Sequence, residues 1–274
     1  MAYSFKKRVV VVTGASSGIG LEIAKAFAAE GSRVVMAARS LDKLNVHAAQ
    51  IRDRGGEVLT LKTDVSIESE CKLLIEKTVN EYGSIDILIN NAGISMRANF
   101  VDVDISVLKR LMDVNFWGTV YCTRYALPYI LKNSGALVGV SSIAGFHGLP
   151  GRTGYSASKF AMHGFLETVR IENFNSGMHV MIIAPGFTAS NIRFHALKGD
   201  GTEQGDSPRN EEKMMKPEYV AKWVLKGIKQ KKRTKILTWG GRYTAFFQRI
   251  IPWVVDWYFY RMMMKEKGSP LKST

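Results

Sequence analysis

The stretch RVVVVTGASSGIGLEIAKAFAAEG, Arg8 to Gly31, decides how the rest of the chain is read. Four consecutive valines suit a strand buried on both faces, and the segment from Leu21 to Ala29 repeats apolar residues at helical spacing. Between them lies TGASSGIG, Thr13 to Gly20, so the glycines fall at a strand-to-helix turn. Gly14 permits the tight turn, and Gly18 and Gly20 remove side chains where a pyrophosphate and the sheet must come close. Ser16, Ser17 and Ile19 border the same loop, and the helix start supplies unpaired N–H groups and positive potential for an anion. This is the reading of a dinucleotide-binding βα unit.

The same alternation continues outward. Apolar β-rich runs at 8–13, 33–38, 57–62, 86–89, 136–141, 178–184 and 234–239 are separated by helical-period segments at 18–30, 41–54, 67–82, 106–133, 154–175 and 217–231. Strand and helix in turn predict an α/β, doubly wound chain: a seven-stranded parallel sheet between helices. No Pro/Gly/Ser linker divides it, so residues 1–241 are expected to form one nucleotide-binding and catalytic domain, with 242–274 as its helical extension. The polar, turn-rich segment 197–213 follows the sixth strand, where a mobile lid is expected.

Composition excludes several classes. The 274 residues are 46% apolar and 23% charged, which argues against disorder, and Cys71 and Cys122 are too few for a disulfide framework, so both are expected to be buried thiols in a reducing compartment. No secretory signal or uncharged apolar run of spanning length is present, and a cytoplasmic location is expected. The net charge of +14 is concentrated late: residues 222–274 hold 13 Lys or Arg against two acidic residues, +11. No nucleic-acid motif accompanies it, so nucleic acid is not expected as a partner. His47, His147, His163, His179 and His195 lack metal-ligand spacing, and no metal is expected. His147 is read as a surface-loop residue.

Two further patterns carry chemistry. The second strand ends in Arg39 and Ser40 rather than an acidic residue, so the site favours a ribose 2′-phosphate, and NADP over NAD. Tyr155 and Lys159, in YSASK, stand one helical turn apart, and Ser142 precedes Tyr155 by 13 residues at the end of the fifth strand, with Ser141 as its competitor. A phenol with an ordinary pKa near 10 needs a shift of about 3 units to exchange protons near neutrality, roughly 4 kcal/mol, of which a nearby ammonium supplies part.

Taken together, TGASSGIG, Asp64-Val65, NNAG (Asn90 to Gly93), Asn115, Ser142, Tyr155, Lys159 and Pro185-Gly186 resemble, in order and spacing over about residues 6 to 240, the short-chain dehydrogenase/reductase family. The resemblance is nearest to its NADP-dependent members acting on lipids or steroids, such as 3-ketodihydrosphingosine reductases and hydroxysteroid dehydrogenases. It implies a Rossmann fold and NADPH-linked oxidoreduction of a carbonyl or secondary alcohol. It further implies that Asp64 and Val65 hold the adenine, that Asn90, Asn91, Ala92 and Gly93 line the cofactor cleft, and that Ile183 to Thr188, with Pro185, Gly186 and Thr188, embrace the nicotinamide. Tyr155 would exchange the proton, Ser142 polarise the oxygen, Lys159 hold the nicotinamide ribose and lower the phenol pKa, and Asn115 anchor a proton-relay water. Where the family often has Thr, this chain has Ser190. The family also implies a homodimer or homotetramer.

The leading expectation is a reductase of an apolar, lipid-like ketone; a small polar carbonyl substrate and a catalytically silent nucleotide-sensing scaffold are the alternatives. The tail RIIPWVVDWYFYRMMMK, 249–265, bears on the choice. Gly240 and Gly241 are expected to break the chain before a helix at 243–251, with a second starting at Pro252. Phe246, Ile250, Trp253, Trp257, Tyr260 and Met264 form an apolar stripe, widened by Ile251, Val254, Val255, Tyr258 and Phe259, beside a narrow edge of Arg242, Arg249 and Asp256. Residues 242–267 are therefore expected to touch a membrane surface, with packing on the substrate cleft or on a partner subunit as the alternative.

Overall fold

The valines of the first strand are buried to the last methyl because they run through the middle of a parallel sheet. In the computed structural model, which describes residues 4–272, the order of elements is β1 (Val9–Thr13), α1 (Gly18–Ala29), β2 (Arg33–Ala38), α2 (Leu41–Arg52), β3 (Glu57–Lys62), α3 (Glu68–Tyr82), β4 (Ile87–Asn90), α4 (Ile105–Met112), α5 (Gly118–Lys132), β5 (Ala136–Val140), α6 (Thr153–Glu172), β6 (His179–Ala184), α7 (Pro217–Lys229), β7 (Thr234–Ile236), α8 (Trp239–Phe247) and α9 (Pro252–Met264). The sheet runs β3-β2-β1-β4-β5-β6-β7, every neighbouring pair parallel. Strand order reverses between β1 and β4, and the crevice at their carboxyl ends is where a doubly wound sheet binds its ligand.

Alternate residues of each strand feed two cores. Val10, Val12, Val34, Met36, Ile87 and Ile89 face α1, α2 and α7, with Phe27 and Val224 opposite them. Val11, Val35, Leu88, Leu137 and Ile182 face α3, α5 and α6, against Leu74, Ile130 and Leu166. Cys71 and Cys122 are free thiols buried in this second core.

Three boundaries differ from the sequence reading. The helix expected over 106–133 is α4 and α5 joined by a π-helical turn, Asp113–Trp117, with Asn115 fully buried inside it; a turn of this kind widens the helix and re-aims one side chain. Strand β7 stops at Ile236 because Thr238 caps α8, its hydroxyl accepting from the Gly241 N–H at 3.1 Å. Gly240 and Gly241 therefore lie inside the first turn of α8 and do not break the chain: a Cβ on Gly241 would lie 2.1 Å from Ile143 Cδ1, so the glycine serves close packing. Pro252 does begin α9, as expected.

Candidate active site

A single cleft of about 1350 Å³ runs along the carboxyl ends of the strands, from the β1–α1 turn to the helices α8 and α9. That volume exceeds what one small ligand needs and suits a dinucleotide together with a second molecule. At one end, Gly14 sits at φ +65° with its added Cβ only 2.8 Å from Ala92 Cα, so neither its conformation nor its space admits a side chain. Asn91 locks this turn: its amide donates to the carbonyls of Thr13 (2.9 Å) and Gly14 (3.2 Å), while the N–H groups of Asn91 and Ala92 both donate to Thr13 Oγ1. No side chain caps α1. Ser16, Ser17, Gly18, Ile19 and Gly20 line the cleft there, leaving the start of the helix to an anion.

Beyond the turn, Arg39 and Ser40 line the corner after β2, joined by Lys43 from the first turn of α2. Lys43 was missed in the sequence, although a basic residue four positions after Arg39 was legible. Asp64 and Val65 border the neighbouring wall; the Asp64 carboxylate accepts from the N–H and hydroxyl of Ser66, which fixes its direction. Asn91, Ala92 and Gly93 line the cleft, but Asn90 does not: it is buried, its amide donating to Thr123 Oγ1 at 3.1 Å. On the far side the wall begins at Pro185 and continues through Gly186, Phe187, Thr188 and Ser190, whereas Ile183 and Ala184 stay in the sheet core. The segment expected as a mobile lid, 197–213, is pinned to the stretch of chain just before it. Arg193 is clamped on Glu211 at 2.6 Å, and Glu203 lies 2.6 Å from His195 Nδ1.

The reacting end is built from β5 and α6. Ser142 ends extended after β5; its hydroxyl accepts from the Ala144 N–H at 3.2 Å and lies close enough to the Tyr155 phenol to hold its pKa down. Ser141 is held 2.6 Å from His163 Nε2, which leaves Ser142 as the serine beside the phenol. Lys159, one turn beyond Tyr155, is buried and donates to the Val140 carbonyl at 3.1 Å. Burial pushes the Lys159 ammonium down to about 8, and it pushes the Tyr155 phenol up. What opposes that rise is the Ser142 hydroxyl and the charges of Arg152 and Arg193. Lys159 Nζ lies 5.8 Å from the centre of the Tyr155 ring.

Asn115 is placed behind the wall, not in it. Its amide donates to Ile94 O (3.0 Å) and Ser158 Oγ (2.9 Å), and its Oδ1 accepts from Ile94 N (2.8 Å). The side chain braces the loop after β4, and the Asn115 backbone carbonyl accepts from the Thr119 hydroxyl at 2.9 Å. A Cβ on Gly93 would lie 3.1 Å from Asn115 Oδ1 and 3.6 Å from Lys159 Nζ, which shows how closely the three meet.

Helices α8 and α9 close the other end. Val255 and Phe259 are buried against Ala144 and Leu149, with Ile143, Tyr155 and Met262 alongside. His147, expected on a surface loop, is buried under α9: its ring centre is 4.6 Å from that of Phe259, and Nδ1 is 3.0 Å from Gln248 Oε1. The stripe read from the sequence is turned outward. Phe246, Ile250, Trp253, Trp257 and Tyr260 are exposed, Trp253 to 72%, while of the residues that widened the stripe Val255 and Phe259 are buried, Ile251 and Val254 half-buried, and Tyr258 exposed. Arg152, Arg193 and Arg209 also line the reacting end. Arg152 stands at the N-cap of α6, three residues before Tyr155, and its nearness in the sequence could have flagged it; the other two come from an aperiodic loop and could not.

The Ser141–His163 contact has a testable consequence. Burial, with the Lys159 charge, holds His163 down at about 4 against an ordinary value near 6.5. The folded state then resists a proton that the unfolded chain accepts, so its stability falls as pH drops from about 6.5 to 4, by on the order of 3 kcal/mol in full. His163→Gln, which keeps a polar partner for Ser141 but takes up no proton, is expected to flatten this part of the curve. Urea unfolding at pH 7 and pH 5 checks it; an unchanged pH dependence would remove His163 from the account.

Comparison with known proteins agrees with this geometry. A family model described as short chain dehydrogenase matches residues 8–199. The 11-beta-hydroxysteroid dehydrogenase A of Sesamum indicum is 33% identical over 274 residues, covering 97% of this chain and 78% of that protein. The dehydrogenase/reductase SDR family member 7B of Danio rerio is 33% identical over 255 residues, covering 90% and 82%. Among solved structures, an alcohol dehydrogenase from the archaeon Thermococcus sibiricus complexed with 5-hydroxy-NADP superposes with a TM-score of 0.73 at 26% identity, over 85% of this chain and 95% of that one. A short chain dehydrogenase/reductase from Burkholderia phymatum in complex with NAD shares the fold at a TM-score of 0.82 and 21% identity, over 90% and 94%. The glycine turn, the Ser142–Tyr155–Lys159 arrangement and these matches together place the chain in the short chain dehydrogenase family, and it is an oxidoreductase acting on CH–OH or C=O groups.

Proposed function

We propose that the protein is an NADPH-linked reductase of an apolar, lipid-like ketone. The observation that carries this reading is the continuity of the cleft, from the basic corner at Arg39 and Lys43, past Ser142 and Tyr155, to the apolar wall of Leu149, Val255, Phe259 and Met262. The residues fit a phosphorylated dinucleotide. An uncapped helix start meets a pyrophosphate, and Arg39 with Ser40 and Lys43 meets a 2′-phosphate with charge-assisted bonds where an acidic residue would repel it. When bound, the nicotinamide supplies the hydride. Tyr155 Oη gives its proton to the substrate oxygen, and the Ser142 hydroxyl holds that oxygen and the phenol in one hydrogen-bonded group. Lys159, pushed down to about 8 by burial, would hold the cofactor ribose and, when charged, favour release of the phenol proton. A screen of sterols, long-chain 3-oxo lipids and small polar ketones against NADPH tests the reading, with turnover expected for the apolar compounds; turnover of the small polar ketones alone would contradict it.

The outer surface supports a lipid source for the substrate. Tyr243, Phe247, Trp257 and Tyr258 line the cleft and are themselves exposed, so the mouth opens among aromatics. Around it stand Trp239, Phe246, Ile250 and Trp253, with exposed Arg242, Arg249, Arg261 and Lys265 between them. Tryptophan and tyrosine suit the membrane interface, and each nearby basic group adds about 1 kcal/mol toward anionic headgroups. No helix of the described residues is long and apolar enough to cross a membrane. The proposed contact is therefore peripheral, and the protein would work in the cytoplasm at a membrane surface. Trp239, Phe246 and Trp253 do not line the cleft, so replacing all three by Ser is expected to lower binding to anionic vesicles at least tenfold while leaving turnover of a soluble ketone unchanged. Flotation checks this; equal flotation of both proteins would remove the aromatic face from the proposal.

We also propose that 242–274 belong to the same folded unit as 1–241, since α9 walls the cleft, and that copies associate through α5 and α6, where Trp117, just before α5, and Phe160, on α6, are exposed. Sedimentation of Trp117→Glu checks the second point: loss of association supports it, and no change contradicts it.

A further inference from the structure

We infer that the ketone carries a carboxylate close to its carbonyl group, and that Arg152 is the residue that selects it; this rests on the reductase reading. Arg152 is 5% exposed and lines the cleft beside Tyr155. One of its Nη atoms reaches two neutral acceptors, Ser95 Oγ and Met96 O, both at 3.3 Å, and its Nε has no partner. A guanidinium keeps its charge under such conditions, so an unpaired one on a cleft wall is costly unless something else completes it.

The surrounding charges do not complete it. Arg193 is paired with Glu211, and Glu266 is shared between Arg209 and, at 3.6 Å, Arg97. Four arginines thus meet two carboxylates, and Arg152 is the member with no carboxylate within ion-pair distance among the described residues. The missing partner is one oxyanion. A planar fork of donors matches a carboxylate bidentately. Arg152 is the N-cap residue of α6 and lines the same cleft wall as Tyr155 in the first turn of that helix, close enough for its charge to act on the phenol, so the anion must sit within a few atoms of the oxygen that Tyr155 protonates. The opposite wall of Leu149, Val255 and Phe259 takes the apolar remainder. The substrate class is an oxo acid with a hydrocarbon tail.

The test compares medium-chain oxo acids with their methyl esters, using the NADPH-loaded protein, and measures decanoate and decanol binding to the same complex by calorimetry. The wild type is expected to prefer acid over ester by at least tenfold in kcat/KM. In Arg152→Gln the acid should lose about 10- to 100-fold, mainly in KM, the ester less than threefold, and decanoate binding should weaken by a similar factor while decanol binding holds. Arg152→Lys should recover part of the acid preference. If acid and ester fall together, Arg152 acts on the Tyr155 phenol or on the fold, and the inference is overturned with the reductase reading intact. If decanoate binds through Arg152 while no ketone turns over, the reductase reading fails and the anion site stands.

Discussion

Tyr155→Phe is expected to lower kcat by about 100- to 10,000-fold while changing NADPH affinity less than threefold. The phenol oxygen is the only atom removed. It lies beside Ser142 at the end of β5, among groups that set its proton affinity from two sides. Burial raises the phenol and so keeps it protonated near neutrality, in the form that donates to a developing alkoxide. Ser142, Arg152 and Arg193 work against that rise and keep the proton transferable. The ring still packs with Leu149 and Val255 in the variant, so the cleft keeps its shape. Steady-state turnover with a responsive ketone and fluorescence titration of NADPH separate the two effects, and a kcat within threefold of wild type would take Tyr155 out of the reaction.

The second large effect is expected at the opposite end. Arg39→Asp should raise KM for NADPH by about 100- to 1000-fold and change KM for NADH by less than threefold. A charge-assisted hydrogen bond contributes about 1.5–3 kcal/mol, and the new carboxylate adds repulsion toward a 2′-phosphate. The same carboxylate can accept from a free 2′-hydroxyl, so NADH is spared. Lys43 remains at the corner and limits the loss. Initial-rate kinetics with both cofactors decide it: equal losses for the two would mean that Arg39 supports the loop and does not read the phosphate.

How far the sequence reading reached depended on whether a signal was local. Strand β1, the turn to α1 and the pairing of Tyr155 with Lys159 all follow from residues within one or two turns of each other, and each was legible. The π-helical turn was not, because nothing in VNFWG distinguishes it from an α-helical turn; only the clamp of Asn115 on Ile94, twenty-one residues away, explains it. Gly240 and Gly241 read as breakers, yet Gly241 is there because Ile143 comes too close for a side chain, a contact between distant parts of the chain. Helix α9 is apolar on both faces, so periodicity found its stripes without telling which one turns inward. His147 failed for the same reason: its burial is made by Phe259 and Gln248, from α9 and the link before it. The arginines at the reacting end lay partly in an aperiodic loop, and the charge imbalance among them exists only in three dimensions.

The most direct test of the central claim is the fate of the hydride. NADPH carrying deuterium at nicotinamide C4, on either face, is incubated with the wild-type protein and an apolar ketone, and the alcohol is analysed by mass spectrometry. One face should deliver deuterium to the carbinol carbon, with incorporation abolished in Tyr155→Phe. Alcohol formed without deuterium from either labelled form, or formed equally well by Tyr155→Phe, would contradict the account.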